Sequence, residues 1–142
     1  MTYNFMRVSE IIKRRHGHWA LEWPTRCSYW ESPNVTQFLR NQKEHVFVAK
    51  ATGCAFGLTA ISGPLRNNPM SKPWFIKGTL PTIEEFLDKE CQCEPNIIHA
   101  PAEGANTAHS GRYTSAFVAA IHRAFSKVVH DKARQITSDS TP

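Results

Sequence analysis

Apolar side chains recur at Phe5, Val8 and Ile12, the spacing of one helix face, with Lys13, Arg14 and Arg15 in the last turn, where cations complement the macrodipole. This predicts a helix over 5–15, stopped at Gly17. A short strand follows over 18–23, with Trp19 and Leu21 on one face, and Pro24 ends it because proline cannot donate to a sheet ladder. Ser32-Pro33 opens a second helix, Ser as N-cap and Pro at the first helical position, and Val35, Phe38 and Leu39 form its apolar stripe. The Val- and Phe-rich stretch 45–52 reads as a second strand. Gly53 and Gly57 flank Cys54-Ala55-Phe56, and Gly63, Pro64, Asn67, Asn68 and Pro69 mark a loop. A third strand covers 73–78. Thr82 and Glu85 have the spacing of a capping box ahead of Ile83, Phe86 and Leu87. Residues 91–111 carry no period. Residues 112–130 form the clearest helix, with Phe117, Ile121, Ala124 and Val128 opposed to His122, Arg123 and Lys127.

The order of these elements predicts one α/β domain over 1–134 and a flexible tail over 135–142. The strand–helix–strand step from Trp19 to Val48 favours a parallel pair with a right-handed crossover. The second and third strands suit an antiparallel pair. The expected sheet is therefore small, mixed and incomplete, thin for its flanking helices, with the Glu22 strand at one edge. An exposed apolar edge is a template for association, so the expected partners are a missing N-terminal half or a second copy of the chain.

Composition narrows the classes. The chain has 142 residues, 41% hydrophobic and 20% charged, which excludes wholesale disorder, collagen and coiled coil. No apolar run approaches the ~18 residues of a membrane span. The stretch MTYNFMRVSE lacks a charged region followed by an apolar one, so the expectation is an intracellular, non-secreted protein without a membrane partner. Four cysteines are too few for a disulfide framework and read as reduced thiols or metal ligands. The net charge of +5 is uneven: residues 81–103 carry −5, leaving +10 elsewhere, which is compatible with a nucleic-acid partner.

An ordered set of short motifs follows the elements: Glu22-Trp23-Pro24 with Trp30; Cys54-Ala55-Phe56-Gly57; Lys72-Pro73-Trp74; and Cys93…His99…Glu103-Gly104. Over residues 5–125 this set resembles the C-terminal part of a methyltransferase-like group found in mobile elements and phages, itself similar to the cytosine-5 DNA methyltransferases. The resemblance implies the C-terminal half of a Rossmann-like methyltransferase fold, with DNA as partner and S-adenosylmethionine as cofactor of a full-length relative. It also implies that Glu22 faces a flipped cytosine, whose N4 amino group and N3 need a carboxyl partner. Burial beside an apolar strand and Trp23 would raise the pKa of Glu22. Its carboxyl is expected in a cleft approached by Cys54, Phe56 and Lys72. Trp23 stands where those enzymes usually have Asn. The alternative role for Glu22 is a strand-end carboxyl bonded to loop amides.

The resemblance also implies parts that these residues do not supply. No Gly-x-Gly loop precedes the Glu22 strand, and none of the cysteines follows a proline as the family nucleophile does. The expectation is a truncated methyltransferase-like domain, inactive by itself and binding no cofactor alone. Two alternatives come from other features. Arg66 and Lys72 with Trp23 and Trp30 could pair phosphates and stack bases in a non-enzymatic nucleic-acid-binding module, although such aromatics are more often core, as Trp19 is expected to be. Cys91, Cys93 and His99, with Cys54, Cys27 or His109 as a fourth ligand, could hold zinc in an interaction domain. Cys-x-Cys is not the Cys-x2-Cys of zinc knuckles, and Ile97 replaces a His of the related proteins. Spacing therefore favours a helix end with a buried thiol and a packed histidine over a metal. His16 and His18 are expected to be solvated.

Overall fold

The computed structural model describes residues 2–138. Its helices are α1 (Thr2–Arg14), α2 (Pro33–Arg40), α3 (Ile83–Leu87), α4 (Ala105–His109) and α5 (Ser115–Ser138). Its strands are β1 (Ala20–Pro24), β2 (Phe47–Thr52) and β3 (Pro73–Gly78), and 3₁₀ turns cover Ser28–Glu31 and Gly53–Phe56. The three strands lie within two residues of their expected bounds. The expected tail is shorter, because α5 continues to Ser138; residues 139–142 lie outside the described residues.

The sheet corrects the expected topology. Its order is β1-β3-β2, and both pairings are antiparallel, so there is no parallel pair among the named strands and the sheet is not mixed. β1 and β2 do run in the same direction, as a crossover through α2 requires, but β3 lies between them. The unit is a split β-α-β. The crossover leaves a gap one strand wide, and β3 fills it and satisfies the inner backbone groups of both neighbours.

Register follows from side-chain alternation. Glu22, Ile76 and Ala49 form one row across the sheet, and Pro24, Trp74 and Ala51 the next. That face packs on Leu80, Ile83 and Leu87 and on Phe117, Ala120 and Ala124 of α5, all buried. The opposite face carries Phe75 and Lys77, covered by Trp30 from the first 3₁₀ turn. A separate aromatic cluster joins Phe5 of α1, Trp19 and Phe38 of α2, with ring centroids 5.3–5.8 Å apart. At Gly78 a Cβ would run into the Trp19 carbonyl and the Ala20 backbone, so β3 can approach the start of β1 only as glycine.

Much of the acidic segment acts on the sheet. Glu84 accepts from the Val48 amide (3.3 Å) and Asp88 from the Lys50 amide (2.9 Å), covering the outer edge of β2. The backbone continues the cover, Lys89 N donating to Lys50 O and Thr52 N to Lys89 O. β1 forms the other edge, as expected. The capping box does not form. The Thr82 hydroxyl makes no cap bond and instead donates to Ala124 O of α5 at 2.7 Å, tying α3 to α5 inside the core.

Thr82→Val should cost about 1 kcal/mol, the net worth of one buried hydrogen bond. Gly78→Ala should cost about 1–3 kcal/mol by overpacking. Urea midpoints at unchanged m-value measure both.

Candidate functional site

Glu22 occupies the middle of the edge strand β1, opposite Ile76 and on the core-facing side. There α1, β1 and α5 leave a cleft of about 390 Å³. Its walls are mostly apolar, with Phe5, Trp19, Phe117 and Phe125 among aliphatic side chains, and Glu22, His18 and Tyr113 are its polar groups. Lys132 of α5 donates to His16 O beyond the end of α1, bridging the two helices.

The two carboxylate oxygens of Glu22 are in different states. Oε2 accepts from the Tyr113 hydroxyl, in the turn before α5. Oε1 is buried with no hydrogen-bond partner among the described residues. Burial raises the Glu22 pKa above the usual carboxyl value, against smaller lowering effects of the Tyr113 bond and the Lys72 charge. Tyr113 is pushed up by burial and then by its bond to Glu22 and that carboxylate's charge. The strand-end role is thus not the one adopted: the partner is a tyrosine side chain, not loop amides.

Sequence reasoning missed two residues here. Tyr113 comes from the far end of the chain, and no local pattern marks it. His18 was expected in solvent but is half-buried in the cleft wall, with both ring nitrogens buried and unpartnered among the described residues. Of the residues expected near Glu22, Lys72 acts on it through its charge. Phe56 lies one ring behind the cleft, 5.1 Å from Phe117, and Cys54 belongs to another cluster.

The other nucleic-acid candidates are dispersed. Trp30 is buried, donates Nε1–H to Pro24 O and has Lys77 over its ring at 4.6 Å, so it offers no free stacking face. Trp23 is half-buried against Trp30 and Tyr29. The Lys72 ammonium donates to Ser110 O and Oγ (2.9 and 3.2 Å) and lines a groove with Arg26. Arg66 is exposed in the turn closed by its amide to Gly63 O.

The cysteines give a second cluster. The side-chain ligand atoms of Cys54, Cys91, Cys93 and His99 all lie within 4.8 Å of one another, and Cys91 Sγ is 3.4 Å from His99 Nε2. Burial pushes the Cys54 thiol up to about 12, with its thiol neighbours adding to the rise. Cys91 is lowered, first by a backbone hydrogen bond at Cys93. The expected helix end with a buried thiol is not present: α3 ends at Leu87 and Cys91 is exposed. Cys27 and His109 are not part of the cluster. No family model matches this chain, and no characterised protein or solved structure matches it.

Two measurements follow from the Glu22 environment. Because the Tyr113 bond and the Lys72 charge both lower its pKa, Tyr113→Phe and Lys72→Met should each raise it further, read from the Glu22 carboxyl carbon by NMR titration. A native pKa above the unfolded one means that the folded state binds the extra proton, so this group's contribution to stability falls as pH rises from the ordinary carboxyl value to the raised one. Glu22→Gln should therefore gain stability over wild type as pH rises through that window. The difference should be smallest below it, where both side chains are neutral; denaturant titrations across pH check this.

Proposed function

We propose that this chain is a methyltransferase-like domain that binds a cytosine base in the Glu22 cleft and performs no methyl transfer by itself. The observation that carries the reading is the split state of the Glu22 carboxyl: Oε2 engaged by Tyr113 and Oε1 buried and unpartnered in a mostly apolar cleft. A protonated Glu22 held this way has its carbonyl oxygen toward the Tyr113 hydroxyl, so its own O–H is at Oε1. That proton donates to an acceptor on the ligand, and the remaining lone pair of Oε2 accepts from an adjacent amino group. Cytosine presents that pair at N3 and N4. In the pose that cytosine takes, uracil sets its N3–H against the Oε1 proton and its O4 against the Oε2 lone pair, and it pairs with the acid only after a shift along the ring edge. The raised Glu22 pKa supports the protonated form, and the aromatic side chains in the walls suit a planar ring.

The motif set from Glu22-Trp23-Pro24 to Glu103-Gly104 supports the methyltransferase-like origin. Other features weight the proposal toward binding over catalysis. None of the cysteines follows a proline, and the antiparallel sheet departs from the mostly parallel sheet of doubly wound nucleotide-binding folds. Methyl transfer on this reading needs a donor site and a nucleophile from another polypeptide segment.

The test is a titration of cytidine and uridine followed by tryptophan fluorescence, since Trp19 lines the cleft. Cytidine should bind more tightly than uridine, and its affinity should fall as pH rises through the titration of Glu22. Glu22→Ala should weaken cytidine roughly tenfold, the scale of a lost bidentate base contact. Glu22→Gln, whose amide places an N–H where the acid has its O–H, should retain binding and lose the pH dependence. Equal binding of the two nucleosides, or an unaffected Glu22→Ala, would reject the proposal.

A further inference from the structure

We propose that Cys54, Cys91, Cys93 and His99 form a tetrahedral zinc site that staples the irregular segment 88–104 to the turn after β2. In a tetrahedral site the sulfurs stand roughly 3.8 Å apart, given Zn–S bonds of ~2.3 Å. The four ligand atoms here are mutually within 4.8 Å, so small side-chain adjustments close the tetrahedron around an ion. Three thiols and one imidazole are a donor set that selects zinc over hard cations. All four positions are filled by protein, which makes the site structural and leaves none open for catalysis.

The ligands are delivered by segments that are each held independently of the cluster. Cys54 lies in the 3₁₀ turn Gly53–Phe56, whose Gly53 amide donates to Lys72 O at 2.8 Å. A Cβ at Gly53 would strike the Leu58 side chain and Met70 O, so this turn is packed against the following loop. Cys91 and Cys93 follow Lys89, which is bonded on both sides to β2 through Lys50 O and Thr52 N. His99 is bracketed by Asn68 Nδ2 donating to Ile98 O and Ala100 N donating to Pro69 O. The backbone thus converges three chain segments on one point with soft ligands facing each other.

The segment between α3 and α4 has no secondary structure of its own, and its residues 90–92 and 94–98 are exposed. A loop of this length in a small domain is uncommon without some other restraint. Hydrophobic burial does not supply it here, since Ala100 is the one buried residue from 88 to 104. The hydrogen bonds at Lys89, Ile98 and Ala100 hold its two ends, and the metal adds a cross-link between them that exists only in the folded chain. The site is independent of the Glu22 cleft and stands or falls separately from base binding.

The experiment is elemental analysis of the full chain purified under reducing conditions with zinc supplied, followed by replacement with cobalt. The expected result is one zinc per chain. The cobalt form should show the strong ligand-field and thiolate charge-transfer bands of a tetrahedral thiolate site. Cys54→Ser should lower metal occupancy, whereas Cys27→Ser should leave it at one. Because a ligand variant can fail to fold, a second readout uses wild-type protein: alkylation of three of the four thiols should slow when zinc is bound, and chelation should lower the melting temperature and restore their reactivity. Metal-free protein, a disulfide among Cys54, Cys91 and Cys93, or occupancy indifferent to Cys54→Ser in a folded variant would overturn the assignment.

Discussion

The fold depends on β3 being the one strand with two partners. It pairs with β1 through Ala20–Pro24 and with β2 through Phe47–Thr52, so every register in the sheet is counted from it. Its alternation puts Trp74 and Ile76 into the core and Phe75 and Lys77 under Trp30. A shift of one residue would send Trp74 and Ile76 to the other face, so the register is strongly specified. The position of Glu22 beside Ile76 and Ala49, and the departure of the chain into the Cys54 turn just after Ala51 and Thr52, are consequences of that pairing.

Local features were legible wherever the physics is local. The apolar face of α5, the Ser32-Pro33 start of α2 and the extents of all three strands follow from periodicity and turn residues, and the structure keeps them. Pairing order is not local. The step from Trp19 to Val48 has the signature of a crossover, and a crossover fixes strand direction without fixing what lies between the strands. Thr82 shows the same limit on a smaller scale. Its spacing to Glu85 is that of a capping box, but the carbonyl of Ala124, brought up by α5, is the stronger claim on its hydroxyl.

The sites divide in the same way. Glu22 stands out in the sequence only through the Glu22-Trp23-Pro24 motif and the resemblance it carries, and Tyr113, which engages one of its two oxygens, is 91 residues away. Spacing along 91–99 argues against a metal because Cys-x-Cys is not the Cys-x2-Cys of zinc knuckles and no second pair stands at a standard spacing. Cys54, one of three candidates for a fourth position, joins the cluster because Lys89 extends the edge of β2 and carries Cys91 and Cys93 past the end of that strand. Trp30 fails as a stacking residue for a related reason: its neighbours in sequence are polar, and its burial comes from β3.

Lys72 connects the two sites. Its backbone carbonyl holds the Gly53 amide at the start of the Cys54 turn, and its side-chain charge acts on the Glu22 carboxyl from the Ser110 cradle. Ser110 is buried and closes the turn after α4, so the Lys72 ammonium is held by backbone carbonyl and hydroxyl rather than left to solvent. The strand bearing Glu22 is an edge strand paired on one side only, so the place of its carboxyl follows from β3, which the chain enters at Pro73 directly after Lys72.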